Sequence, residues 1–372
     1  MKSVGFVSKT ATDTDKEAAI FVAPEWKLVW WKFRKHKMAL VSGIIVVLIY
    51  MVAVLVEFLA PNSPAATNSK YLYAPPQPLQ FDGGLYVSGY TSVVDKASLR
   101  RIFVVDPSQK IRVGFFVKGV SYKLCGLLPG DRHLFGPLDP AQPMYLLGAD
   151  RLGRDLLSRL IYGTRISMSI GLVGVFFSLL LGIVLGGISG YYGGKVDTLI
   201  QRTIELVRSI PTIPLWMGLT AALTFSLPPE QTYFAITVIL SLLSWPDLAR
   251  AVRGRFLSLR TEDFVMAARL DGASQGRIIF RHMLPAFSSH IIATLTLTIP
   301  GMILAETALS FLGLGLHEPV VSWGVLLQDA QDIRSIATAP WLLIPTLAVV
   351  VSVLALNFFG DGLRDAADPY GR

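Results

Sequence analysis

Long apolar runs broken by short polar stretches dominate this chain. A helix rising 1.5 Å per residue needs roughly 20 apolar residues to cross the ~30 Å hydrocarbon layer of a bilayer. Six segments come close to that length: Met38 to Leu59, Met168 to Tyr191, Ile210 to Leu227, Thr232 to Leu248, Ile291 to Leu316 and Pro340 to Phe359. Only Pro228, Pro229, Glu230 and Gln231 separate the third from the fourth, which predicts a tight helical hairpin with a proline break. The first run is about twice as long as the apolar part of a signal peptide and reads as an uncleaved anchor.

The pattern changes between the first two spans. From Pro61 to about Leu147, apolar and polar residues alternate in runs such as Leu85 to Tyr90, Arg101 to Val105 and Ile111 to Val117. Asp82-Gly83-Gly84 and Asp106-Pro107-Ser108 supply turn residues between them, which predicts a small β-rich insertion outside the membrane. The Gly-Arg-Asp stretch from Leu147 to Arg165 then predicts a short helix lying along the outer interface. The expected organisation is an N-terminal cytoplasmic segment (1–37), a first span (38–59), an extracytoplasmic insertion (60–147), a helical core (148–360) holding a cytoplasmic segment (262–287), and a cytoplasmic tail (361–372).

Composition agrees with lipid as the solvent. Of 372 residues 52% are hydrophobic and only 16% charged, and the mean hydropathy is +0.52, too apolar for a soluble domain of this size. The net charge of +8 would suit nucleic acid, but its placement favours a membrane, where short cytoplasmic loops carry the Lys and Arg. Lys27, Lys32, Arg34, Lys35 and Lys37 precede the first span, and Lys195, Arg202 and Arg208 lie between the second and third. Seven arginines from Arg250 to Arg281 lie between the fourth and fifth, whereas the loop between the fifth and sixth holds only Arg334. Both termini are therefore expected on the cytoplasmic side. Arg151, Arg154, Arg159 and Arg165 sit on the opposite, outer side. They end a long loop, where the rule loses force, and Asp150 and Asp155 partly offset them.

Candidate chemistry is sparse. A single cysteine, Cys125, allows no intrachain disulfide and reads as a packing residue, and five scattered histidines give no metal-ligand spacing. Gly193-Gly194-Lys195 is not a phosphate-binding loop, because Ser189 stands where its first glycine belongs and Val196 where Ser or Thr would hold magnesium. His282, His317 and Glu318 show no nucleophile or metal spacing, so catalysis within this chain is not expected and energy has to come from a partner. Gly174, Ser178, Gly182, Gly186 and Gly190 recur every four residues, a ridge of small side chains that lets another helix approach closely, either as fixed packing or as a movable contact.

The segment from Glu262 to Phe287 is long for an inner loop and mostly helix-compatible. Ala267 and Ala268 would let a short helix press its backbone into a groove on another protein. Gly272 would supply the left-handed turn that ends it, and Pro285, after Leu284, would begin the next segment.

Here the chain resembles the inner-membrane permeases of binding-protein-dependent ABC importers, whose signature is Glu-Ala-Ala, three residues, Gly, nine residues, Ile, one residue, Leu-Pro. It has Met266 for the glutamate and His282 for the isoleucine, but Ala267, Ala268, Gly272, Leu284 and Pro285 stand at the family spacing. Met266 removes one possible salt bridge to an ATPase subunit. The dipeptide and oligopeptide branch is resembled further at Leu147-Gly148-Ala149-Asp150 through Arg165-Ile166-Ser167, Ala305-Glu306-Thr307 through Gly315, Ser322-Trp323-Gly324, and Gly360-Asp361-Gly362-Leu363-Arg364-Asp365. The resemblance runs from about Leu146 to the C-terminus, plus the basic start of the first span, and leaves the β-rich insertion uncovered.

That resemblance implies an all-α polytopic protein with the six transmembrane helices of the type I ABC importer permease fold, in a bacterial inner membrane. It implies as partners a homologous second permease, two ATPase subunits and an extracytoplasmic solute-binding protein, with no nucleic acid. ATP and magnesium would be bound by the ATPases and no cofactor by this chain. Ala267, Ala268, Gly272, Leu284 and Pro285 would couple to the ATPase. Peptides are the expected cargo, with oligosaccharides, opines or metal complexes as the alternative, and a channel or receptor subunit without ATP coupling as the reading from a different class. The insertion would dock the binding protein or shield the pore mouth.

Three residues remain as pore or gating candidates. Glu306 is the one acid in the fifth span, where a carboxylate at the bilayer centre costs about 2.5–3.5 kcal/mol, so it should face the bundle interior or water. Either a structural partner or a substrate amine would satisfy it. Pro300 and Gly301, like Pro345 in the sixth span, free backbone groups and allow either a fixed kink or a hinge.

Overall fold

The computed structural model describes residues 25–94, 101–224 and 227–367; the outermost parts of the predicted N-terminal segment (1–24) and tail (368–372) lie outside the described residues, as do two positions of the predicted third span (225–226). The apolar runs form helices. A basic, tryptophan-rich helix α1 (Glu25–Lys35) leads into α2 (Lys37–Val54), whose first turn is capped by His36 Nδ1 accepting from the Ala39 amide at 3.1 Å. A short turn, α3 (Val56–Leu59), follows.

Four antiparallel strands come next in sequence order: β1 (Leu79–Phe81), β2 (Leu85–Val94), β3 (Arg101–Leu124) and β4 (Leu128–Pro137). Leu79 pairs with Val87, Tyr86 with Arg112 and Val113 with Pro137. Val87, Ile111, Val113 and Met144 form one small core, and Tyr90, Tyr145, Ala74 and Ala149 another. The expected turn at Asp106-Pro107-Ser108 is instead a bulge inside the unbroken β3, since Ser88 pairs with Lys110 but Gly89 with Asp106. The Asp106 carboxylate holds the bulge by accepting from Ser108 N (3.0 Å), Ser108 Oγ (2.6 Å), Gln109 Nε2 (3.1 Å) and Thr91 Oγ1 (3.0 Å), which satisfies locally what the ladder leaves open.

The stretch expected as a helix along the interface is otherwise arranged. Residues 147–154 form turns with positive φ at Gly148 and Gly153, closed by a bridge between Ala149 and Asp155. Asp155 then caps α4 (Leu156–Tyr192) by accepting from Leu157 N and Ser158 N, so this helix begins at Leu156 rather than Met168 and runs 37 residues, about 55 Å. After Gly193 come the amphipathic α5 (Gly194–Ser209), α6 (Thr212–Thr224) and α7 (Pro229–Leu259). Pro229 occupies the first turn of α7, where its missing N–H costs nothing, and the helix carries Pro246 inside and runs on past Leu248 into the arginine-rich stretch.

Among the described residues, five helical stretches are long and apolar enough to cross a bilayer: Lys37–Val54, Leu156–Tyr192, Gln231–Leu259, Thr294–Phe311 and Pro340–Ala367. The segment expected as the third span gives, among the described residues, a shorter apolar stretch, Thr212–Ala222 within α6. Only 28% of the Lys37–Val54 window is buried, so its apolar outer face needs a non-aqueous neighbour.

Beyond α7 lie α8 (Asp263–Leu270), a turn at Gln275–Arg277, a π-helical turn at Ile278–Met283 and a 3-10 turn at Pro285–Phe287. Then come α9 (Ser288–Phe311), the short α10 (Trp323–Gln328) and α11 (Ile333–Thr338), and α12 (Ile344–Ala367). Trp323 and Leu327 of α10 are buried with Met168 of α4, Ile303 of α9 and Val349 of α12, which locks the bundle at one end.

Candidate functional site

The signature segment sits at the end of α7. α8 ends in a Schellman turn, with Gly272 N–H donating to the Arg269 carbonyl and Ala273 N–H to the Ala268 carbonyl, both at 3.0 Å. Gly272 has φ +74°, and a Cβ there would touch nothing within 4 Å, so backbone conformation rather than space selects glycine. The two alanines part company: Ala268 is buried with Val265, Ile278, Met283 and Phe287 against Val252 and Phe256 of α7, while Ala267 is exposed. Phe264, Met266, Leu270 and Phe280 share its exposure, Leu270 at 87%. Leu284 packs against the same core and Pro285 lies at the surface. Leu284 N–H reaches back to the Ile279 carbonyl at 2.8 Å, the wide π-type step that precedes Pro285.

α4 reaches this segment directly. The Arg269 guanidinium stands 5.4 Å from the Tyr191 ring centre, and Tyr192 Oη lies 2.8 Å from Gln275 Oε1. Asp197 of α5 accepts from Arg253 Nε and Nη2 of α7, both at 2.6 Å, and this hydrogen-bonded pairing holds its carboxyl below the usual range.

The glycine ridge of α4 lies on α7. A Cβ on Gly182 would come 2.8 Å from the Leu248 side chain, one on Gly186 2.4 Å from the Ala249 carbonyl oxygen, and one on Gly190 2.7 Å from the Arg253 carbonyl oxygen. Gly174 instead faces Met302 of α9.

Glu306 is fully buried. Its Oε1 accepts from Ser310 Oγ at 2.8 Å and Ser322 Oγ at 2.7 Å, and its Oε2 from Ser167 Oγ at 3.4 Å. Each serine also accepts a backbone N–H, from Leu316, Val325 and Trp323 respectively, which turns its own proton toward the carboxylate. Glu306 thus ties α9 to α4 and to the start of α10. Pro300 is buried within α9, while Gly301 is exposed with open space around its Cα.

At the other end of α4 the unexpected arginines are paired. Asp150 is buried and accepts from Arg154 Nε at 2.7 Å and from Arg159 Nη1. Glu318, from the loop after α9, accepts from Arg154 Nη2 at 2.5 Å and Arg159 Nη2 at 3.1 Å. Those hydrogen bonds, Arg154's first, hold the Glu318 carboxyl down to about 2 against the opposing effect of burial. Arg151 Nε reaches Asp329 at 3.0 Å, and Arg165 grips both oxygens of Glu57. The charge excess that conflicts with a simple orientation rule is therefore largely internal pairing. The spacing of Glu318 in the sequence points to no catalytic role; the signal for its pairing is the density of opposite charge in a chain otherwise so apolar. Cys125 is exposed at the β3–β4 turn, not packed in a core. Among the described residues no three His, Cys, Asp or Glu side chains converge as metal ligands would.

Comparison with known proteins bears on both regions. The family described as binding-protein-dependent transport system inner membrane component matches residues 182–370, and the N-terminal TM domain of oligopeptide transport permease C matches residues 25–76. The chain is 41% identical over 243 residues to the oligopeptide transport system permease protein OppC of Haemophilus influenzae, covering 65% of this chain and 76% of that protein. It is 33% identical over 373 residues to the dipeptide transport system permease protein DppC of Lactococcus lactis subsp. cremoris, covering 99% and 97%. Among solved structures, a chain of the inward-facing MetNI methionine ABC transporter aligns over 57% of this chain and 98% of its own, with a TM-score of 0.46 at 21% identity. Matched over half its length by the family and along nearly all of it by a relative, this chain belongs to the binding-protein-dependent transport system inner membrane components.

Proposed function

We propose that this chain is the permease subunit of an ATP-driven importer and forms half of a translocation path for peptides. The observation that carries the reading is α8: a short helix ended by a left-handed Gly272, with Phe264, Ala267 and Leu270 left exposed among the described residues. Such a face suits a groove on an ATPase subunit. Peptide cargo follows the names of the relatives, which are oligopeptide and dipeptide permeases.

In this reading the fold is of the type I importer class, α6 and α7 form the hairpin that completes six crossings, and both termini, α5 and α8 face the cytoplasm, where the basic residues gather. A second permease, two ATPases that bind ATP and magnesium, and an extracytoplasmic binding protein complete the machine, in a bacterial inner membrane. The four-stranded sheet lies on the side where cargo arrives and helps to dock the binding protein.

Proteoliposomes holding the copurified complex and its binding protein test this. Short peptides should stimulate ATP hydrolysis. Stimulation by oligosaccharides alone would keep the mechanism and overturn the cargo, and no hydrolysis in a complex with intact subunits would overturn the importer reading.

A further inference from the structure

Hairpin turns in water carry polar residues, yet the β3–β4 turn reads Cys125-Gly126-Leu127 and leads into Leu128. Leu127 is 81% and Leu128 65% exposed, and Phe115, Phe116 and Val120 behind them are each more than half exposed. Three contacts fix the direction of this hairpin. A Cβ on Gly136 would lie 3.8 Å from Pro61, the Phe116 and Phe58 rings are 6.1 Å apart, and Cys125 Sγ lies 3.4 Å from the Val54 carbonyl oxygen. The chain from Val54 to Pro61 leads away from α2, so the hairpin beside it runs back and brings its tip to the end of that helix.

What surrounds the tip is the rim of the apolar belt. Val47, Leu48, Met51 and Val54 of α2 form an exposed apolar face ending there. Arg165, whose Nη2 lies 3.0 Å from the Val54 carbonyl oxygen and 3.8 Å from Cys125 Sγ, is paired with Glu57 at the same level, as long cationic side chains are where hydrocarbon gives way to headgroups. Lys123, next to the tip, is exposed.

We propose that the β3–β4 tip is a membrane contact: Leu127 and Leu128 enter the interfacial layer of the bilayer beside the end of α2, with Lys123 at the lipid phosphates. The exposed leucines of the tip stand where the exposed apolar face of α2 ends, beside Val54, which makes lipid rather than a second protein their occupant. Anchored at this point and at α3, the sheet is held at a fixed height over the bundle instead of swinging on the loop from Ala60. The inference rests on α2 spanning the bilayer.

The test uses the full chain in its copurified complex, reconstituted in nanodiscs. Leu127→Cys in a Cys125→Ser background is labelled with an environment-sensitive fluorophore, and lipids carrying a nitroxide near the headgroup or deep in the acyl chain serve as quenchers. A sample with Cys125→Ser alone gives the background from partner subunits. Labels at Val47→Cys, within α2, and at the exposed Ala141→Cys, away from the tip, are the two references. Interfacial insertion predicts a blue-shifted label at 127 quenched by the shallow nitroxide about threefold more than at 141. Quenching no greater than at 141 overturns the proposal. A blue shift without quenching also overturns it and assigns the tip to a protein partner. Failure of the deep nitroxide to quench at 47 would overturn instead the spanning role of α2 on which the proposal depends.

Discussion

Arg154 and Glu318 stand 164 residues apart in sequence and 2.5 Å apart in space, and their contact fastens the turn before α4 to the loop after α9. Asp150 shares Arg154 and Arg159 with Glu318, so two buried guanidinium groups face two carboxylates.

The two acids should not be equivalent. Asp150→Asn leaves two buried cations with one partner that is itself partly exposed, and is expected to destabilise by about 3–5 kcal/mol. Glu318→Gln keeps Asp150 in place and, discounted for solvent screening, should cost on the order of 1 kcal/mol. The Glu318 carboxyl is held below its ordinary value of 4.5, so its contribution is present above that pH and fades as the pH falls from about 4.5 to about 2. Thermal unfolding of the purified protein across this range should show a decline that Glu318→Gln flattens; an identical decline in the variant would mean that other groups govern it.

Glu306 separates a structural from a transport role. Glutamine can keep its amide oxygen on Ser310 and Ser322 and turn its NH2 toward Ser167, so Glu306→Gln should assemble normally, whereas Glu306→Leu leaves three hydroxyls without their acceptor and should lose about 2–3 kcal/mol or more. Uptake near the native level in Glu306→Gln supports the clasp; a large loss of uptake in a normally assembled complex would favour contact with cargo.

Two glycines should respond in opposite ways to the same methyl group. At Gly186 a Cβ would sit 2.4 Å from the Ala249 carbonyl oxygen, a backbone atom that cannot rotate away, so Gly186→Ala should push α4 from α7 and lower both stability and assembly. At Gly301 there is open space, and alanine should stiffen α9 and raise its stability by up to about 1 kcal/mol. Slower transport by the more stable Gly301→Ala would mark a hinge at Pro300-Gly301; unchanged transport would leave a fixed kink.

At Gly272 conformation rather than volume is at stake. Asparagine tolerates positive φ, so Gly272→Asn should retain most coupling, while Gly272→Val should lose about 1–2 kcal/mol locally and uncouple ATP hydrolysis from peptide. Comparable ATPase stimulation in both variants would show that the Schellman turn is dispensable.

Much of the bundle was legible because apolar runs report their own length, and Gly272 because a glycine after Ala267-Ala268 has few other uses. Helix starts were harder. The onset of α4 was misplaced because Arg159 and Arg165 look like surface residues until Asp150, Glu318 and Glu57 are known to meet them, and such pairings across a hundred residues or more leave no local trace. The bulge at Asp106 looks like a turn in sequence for a related reason: Asp-Pro-Ser satisfies its own backbone in either setting, and only the register of β2 decides between them. The split between Ala267 and Ala268 depends on which side of α8 meets α7, which spacing alone does not contain.

The uninterrupted length of α4 has a mechanical meaning. One rod of about 55 Å is gripped at its head by the ion cluster through Arg159 and touches the signature segment at its foot through Tyr191 and Tyr192, with no proline between them. A push delivered at the foot arrives at the head as displacement rather than being absorbed at a joint, so the two faces of the membrane are connected by a strut belonging to a single helix.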